Sequence, residues 1–168
     1  LYSETNLGCR VACSDALNWF FSEVDYGIVI EDDCLPEKSF FNFCEELLIQ
    51  YQHDHRVWQI CGNQCLSDGS LANEESYYFS HYGPIWCWAS WADRWSNYDV
   101  DLNEYERERD FLKLSKIYQS KEEAKYKVDQ LERINEGYDT WDIQWSYAKL
   151  MNEGLSIVPR SNMVINLG

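Results

Sequence analysis

Three consecutive carboxylates, Glu31-Asp32-Asp33, stand directly after the apolar run Gly27-Ile28-Val29-Ile30 and shortly before Pro36. Adjacent like charges repel, so the arrangement calls for a positive group among them. Hard carboxylate oxygens at a strand end suit Mn²⁺ or Mg²⁺, with phosphate oxygens and water completing the shell. If the three residues are extended, successive side chains point opposite ways, so one or two hold the cation while another meets a different ligand group. The plain alternative is that these acids cap the next helix or face solvent. No EF-hand loop, with its central Gly and closing Glu, fits around them.

Two further stretches carry chemistry. "GPIWCWASWADRW" holds Trp86, Trp88, Trp91 and Trp95. Trp88, Trp91 and Trp95 fall at helical spacings and read equally as core or, beside Gly83-Pro84, as flat walls that stack on sugars or bases. Arg94 could pair with a phosphate or carboxylate, or be an ordinary exposed charge. In "YDTWDIQWSYAKL", Asp142 lies between Trp141 and Trp145 at the start of an expected helix. It reads as a first-turn acid, as does Asp139 with Thr140 as an N-cap, or as a general base in an aromatic cleft. His53, His55 and His81 form no H-E-x-x-H, and neither G-x-G-x-x-G nor G-x-x-x-x-G-K-[ST] occurs. A metal would have to handle phosphates.

The elements that must position these residues alternate. Residues 9–21 read as a helix with Val11, Ala12, Ala16, Leu17 and Phe20 inward. Residues 27–30 read as a strand covered on both faces, as in a parallel sheet. A helix over 39–50 buries Phe40, Phe43, Leu47 and Leu48, and a strand follows at 57–61. This rhythm is that of an α/β domain. Residues 64–76 read as a surface loop and 77–79 as an edge or central strand. Solvent-facing helices are expected at 109–117 and 121–134, a third at 141–152, and a last strand at 155–158. In such a sheet, ligands bind beyond the carboxyl ends of the strands, where the acidic triplet stands.

The chain has 168 residues, enough for one domain with a real core. A net charge of −15, from 29 acidic and 14 basic residues, argues against nucleic acid or an anionic membrane as partner. No apolar run reaches the ~20 residues of a membrane span. Seven cysteines without paired C-x-x-C spacing read as reduced, mostly buried thiols of a cytoplasmic protein, with a zinc site or a disulfide as alternatives.

The ordered set "NLGCRVACSDALNWFF", "GIVIEDDCLPEKSFFNFCEELLIQY", "VWQICGN", "GPIWCWASWADRW" and "WDIQWSYAKLMNEGLSIVPRSNMVINLG" resembles nucleotide-diphospho-sugar transferases of the GT-A superfamily. More closely, it is similar to bacterial glycosyltransferase-like proteins that share a core with the Golgi N-acetylglucosaminyltransferase acting first in complex N-glycan synthesis. The resemblance implies a GT-A-like, Rossmann-like mixed sheet flanked by helices and inverting transfer of a sugar from a nucleotide-sugar donor to a hydroxyl of a carbohydrate or other acceptor. It implies that Asp33 contacts Mn²⁺ or Mg²⁺ directly, that Asp32 lies near the metal or the ribose, and that Glu31 acts through water or hydrogen bonds. Gly83, Trp86, Trp88 and Trp91 match the donor-sugar and acceptor cleft, and Arg10 a basic position near the nucleotide, against an ordinary exposed charge. Asp142 matches a catalytic base. Because the tryptophan spacing there departs by a residue, Asp139 stays an alternative.

The resemblance also implies missing parts. Opening strands that build the nucleotide-base pocket have no counterpart, and no Met begins the chain. The residues therefore read as a portion of a longer transferase, with a sheet edge open to homodimerisation. A metal- or carbohydrate-binding module without turnover is the competing expectation.

Overall fold

The computed structural model describes residues 3–64 and 76–168. In chain order the elements are α1 (Gly8–Glu23), β1 (Tyr26–Val29), β2 (Cys34–Pro36), α2 (Lys38–Gln50), β3 (Val57–Cys61), β4 (Tyr77–Ser80), β5 (Trp88–Trp91), α3 (Ala92–Trp95), α4 (Arg107–Tyr118), α5 (Lys121–Asn135), α6 (Asp142–Met151), β6 (Leu155–Pro159) and β7 (Val164–Asn166). The architecture is mixed α/β. A five-stranded sheet, ordered β1-β5-β3-β6-β4, lies among helices, and β2 pairs with β7 in a separate ribbon. Most of the loop expected at 64–76 lies outside the described residues.

The sheet is mixed in direction. β1 runs antiparallel to β5, β5 antiparallel to β3, and β6 antiparallel to β4; only β3 and β6 are parallel among the described strands. The expectation of a parallel, doubly covered strand at 27–30 is therefore corrected. β1 is a half-buried edge strand, and Ile30 lies beyond it, exposed. An apolar run reports proximity to a core, but pairing direction depends on β5, a partner about sixty residues away.

Two apolar layers sandwich the sheet. On one side Phe40, Cys44, Leu47 and Leu48 of α2 pack on Ile60, Ala89, Trp91 and Ile157. On the other, Leu17 and Phe21 of α1 meet Trp58, Trp88, Trp95, Trp141 and Trp145. The α2 stripe is as expected, with Cys44 joining it and Phe43 at its margin. The α1 stripe is rotated: Ser14, Leu17 and Phe21 are buried, whereas Val11, Ala12 and Ala16 face outward.

Trp88 and Trp91 do not share a helix face. They occupy strand β5, and α3 begins only at Ala92, so the pleat sends them to opposite sides of the sheet. Helices α4 and α5 are not wholly solvent-facing, since Asp110 and Leu114 of α4 and Lys127 and Leu131 of α5 are buried. The six described cysteines are free thiols, and Cys65 lies outside the described residues. No helix among the described residues is long and apolar enough to cross a membrane.

Candidate active site

The acidic triplet turns a corner. Asp32 and Asp33 sit in a turn closed by the Cys34 N–H donating to the Glu31 carbonyl at 3.1 Å. In an extended chain Glu31 and Asp33 would share one side and Asp32 and Cys34 the other; the turn swings Cys34 round to join the first pair. Glu31, Asp33 and Cys34 accordingly bring their ligand-type atoms within 4.8 Å of one another, and Asp32 stands outside that group. Glu31, expected to act through water or hydrogen bonds, is thus the carboxylate whose ligand atom stands beside that of Asp33, whereas Asp32, expected near the metal or the ribose, lies outside the group.

Long-range bonds hold this corner. The Leu167 N–H donates to the Asp33 carbonyl at 2.7 Å, and the Asn166 amide donates to Asp33 Oδ2 at 3.1 Å, fixing the turn to the end of β7. The Cys34 thiol donates to Asp33 Oδ1 at 3.3 Å. Burial pushes that thiol up to about 12, so Cys34 acts as a neutral donor and the charged oxygens belong to the carboxylates. Glu31 is pushed up from 4.5 to about 7, first by burial and then by the negative charges of Asp33, Asp142 and Asp32. No Lys or Arg pairs with the triplet among the described residues. Two hard carboxylates, crowded and without a counter-charge, fit a small divalent cation of the Mg²⁺ or Mn²⁺ kind better than a thiophilic one.

The two aspartates near α6 have separate work. Asp139 accepts from the Cys9 N–H at 2.9 Å and the Arg10 N–H at 2.8 Å, closing the N-terminus of α1, and those hydrogen bonds lower its pKa. Gly8 is required there, because its φ is +75° and a Cβ would lie 2.6 Å from Asp139 Oδ2. Asp142, by contrast, opens α6, accepts from the Thr140 hydroxyl on one oxygen, lines a cavity, and is near enough to Glu31 to raise it.

The expected aromatic walls divide. Trp88 and Trp91 are 0% and 1% exposed, so neither can touch a ligand. Trp88 stacks among Trp95, Trp141 and Trp145, and Trp91 donates to the Leu48 carbonyl at 3.0 Å under the Arg94 guanidinium. Their expected contact with substrate is corrected; indoles this large were recruited to fill both layers. Trp86, 44% exposed, keeps a face available. Arg10 points its guanidinium at Asp101, 2.7 Å away, and not at the triplet. Arg94 is buried, gripping Asp93 and the carbonyls of Tyr51, Gln52 and Asp54.

Gly83 does line the cavity with Asp142. The connection from β4 to β5 crosses the sheet face that α6 covers, and the Pro84 carbonyl is held by Gln59 Nε2 at 2.8 Å. Gln59 Oε1 in turn accepts from Trp145 Nε1 at 3.2 Å, and Lys149 Nζ donates to Ser156 Oγ. A Cβ on Gly83 would collide with Ser156 Oγ and lie 2.6 Å from Lys149 Nζ. Glycine lets the loop rest on this buried polar layer. Lys127, His81 and Tyr82 also face the cavity and were not among the sequence candidates. For Lys127 a signal existed: it interrupts the apolar stripe Ala124, Val128, Leu131 and Ile134 of α5.

No family model matches the chain, and no match to it is found among curated proteins.

Proposed function

We propose that this chain is a GT-A-like, metal-dependent inverting glycosyltransferase domain. It moves a sugar from a nucleoside-diphosphate donor to a hydroxyl of a carbohydrate or other acceptor. The observation that carries the reading is the meeting of Glu31 and Asp33 at the end of β1, without a counter-charge, within electrostatic reach of Asp142. A cation held by Glu31 and Asp33 would supply Lewis-acid stabilisation of the negative charge that gathers on a departing diphosphate.

Asp142 is the general base. Its carboxylate takes the proton of the acceptor hydroxyl while that oxygen attacks the anomeric carbon on the face opposite the diphosphate. The bond from anomeric carbon to diphosphate oxygen breaks, its electron pair leaves with the diphosphate, and configuration inverts. Thr140 orients the carboxylate from one side. Asp139 is unsuited to the role, since both its oxygens are committed to α1. Free thiols at the six described cysteines accord with a reducing compartment such as the cytoplasm.

The test is incubation of the protein with a panel of nucleotide sugars and Mn²⁺, following donor hydrolysis and transfer. Asp33→Ala is expected to lose metal-dependent nucleotide binding. Absence of both binding and turnover for every nucleotide sugar, with and without metal, overturns the proposal. Metal or sugar binding without any turnover favours a non-catalytic binding module.

A further inference from the structure

The cavity beside Asp142 measures about 320 Å³ and is lined by Tyr82, Tyr118, Tyr126, Lys127, Asp142 and Trp145, among others. That is the small end of the range for ligand pockets. Its mouth is aromatic: Tyr82 and Tyr118 stack with centroids 5.4 Å apart, and Tyr126 is 67% exposed. Rings displayed around a concavity offer flat apolar faces to a sugar ring.

Its polar groups are unequally satisfied. Asp142 accepts from Thr140, and Glu123 accepts from the Tyr82 hydroxyl. Lys149, behind Gly83, donates to Ser156. Lys127 is only 9% exposed and makes no hydrogen bond or ion pair among the described residues; its electrostatic neighbours are Asp142 and Lys149. His81 Nδ1, on the same lining, is also buried without a partner. Lys127 Nζ, unlike His81 Nδ1, is not sealed off and keeps contact with solvent on the cavity side, as an ammonium without an internal acceptor must. Each carboxylate of this cavity has an internal donor, whereas Lys127 has Asp142 as a charge neighbour but no hydrogen-bond acceptor among the described residues.

We infer that this cavity binds a glycoside carrying an oxyanion, a carboxylate or a phosphate ester, with the anion on Lys127 Nζ and the sugar ring against Tyr82 and Tyr126. Asp142 lies on the same lining, so such a ligand is the acceptor. The acceptor role rests on the glycosyl-transfer reading above, whereas the ligand class rests on Lys127 and the tyrosines alone.

The experiment is calorimetric titration of the protein with methyl glucuronide, a hexose phosphate and neutral methyl glucoside. Wild type, Lys127→Met and Tyr126→Ala are compared, with Mn²⁺ titrated separately. The inference expects saturable binding of one or both acidic sugars, the stronger identifying carboxylate or phosphate, and weak or no binding of the neutral one. Lys127→Met should weaken the acidic ligand ~10–100-fold, the usual loss for a charge-assisted hydrogen bond. Tyr126→Ala, on an exposed side chain that leaves folding intact, should weaken all sugars together. Mn²⁺ binding should be unchanged in both variants. Equal binding of acidic and neutral sugars, full acidic binding by Lys127→Met, or no acidic binding to wild type each overturn it. Lys127-dependent binding with no turnover of any nucleotide sugar in the transfer assay above would refute the transferase reading and leave the ligand class standing; transfer to neutral acceptors alone would do the reverse.

Discussion

Glu31→Gln tests the electrostatics of the site most directly. In the folded protein the Glu31 carboxyl keeps its proton up to about 7, against 4.5 for an unburdened glutamate, because burial and then Asp33, Asp142 and Asp32 oppose its charge. Between those two values the folded state binds more protons than the unfolded chain, so stability falls as pH rises. The favourable contribution is complete below 4.5, declines through 7 and is gone above it. At full strength such a rise corresponds to ~3 kcal/mol, and water around a half-buried carboxyl screens it to ~1–2 kcal/mol. Glutamine keeps the shape and removes the charge. Metal-free Glu31→Gln should therefore match wild type near pH 4.5 and be the more stable protein by ~1–2 kcal/mol at pH 8. Urea unfolding of both proteins across that range, in the presence of a chelator, measures the difference and cancels the other titrating groups. Mn²⁺ should then stabilise wild type at pH 8 more than at pH 5, since the cation needs the ionised carboxylate, and should do little for the variant. A wild-type-minus-variant difference that stays flat with pH, or equal Mn²⁺ stabilisation of both, refutes the reasoning.

Further outcomes separate the chemical residues from the structural ones. Asp142→Asn should lower sugar transfer ~10²–10⁴-fold while sparing nucleotide and Mn²⁺ binding, as loss of a general base does; steady-state rates beside nucleotide titrations decide it. Asp139→Ala should lower the thermal midpoint and speed amide exchange at Cys9 and Arg10, whose N–H groups it accepts from, without changing Mn²⁺ affinity. Gly83→Ala should cost ~1–3 kcal/mol in urea unfolding, because the added methyl meets Ser156 Oγ and Lys149 Nζ; an unchanged midpoint would mean the loop moves freely off that layer.

Much of the framework is local and so was readable from residue order. The 3.6-residue stripe of α2, the strand at Val57–Cys61 and the ending of α6 near Gly154 all follow from side-chain spacing within a few turns. The strand at residues 88–91 was not readable, because Trp88 and Trp91 fit a helix spacing and a pleat equally until β1 and β3 pair with them. β2 and β7, three residues each, exist only because Cys34–Pro36 finds Val164–Asn166.

For the site, the sequence alone determined the chemistry in stock: three carboxylates at a strand end, an aspartate at a helix start, and a glycine before the tryptophan run. Tertiary structure decided the assignments. A turn closed by one hydrogen bond brought the Cys34 thiol to Glu31 and Asp33 and left Asp32 outside the group. Two amides of a helix 129 and 130 residues distant in sequence occupied Asp139 and left Asp142 to the cavity. Packing on both sheet faces took Trp88 and Trp91 away from solvent, and the fold set Lys127 of α5 on the lining of the cavity that Asp142 shares. Residue type sets what a side chain can do, but free orbitals, burial and neighbouring charge are properties of contacts made across the chain, and those contacts come only with the fold.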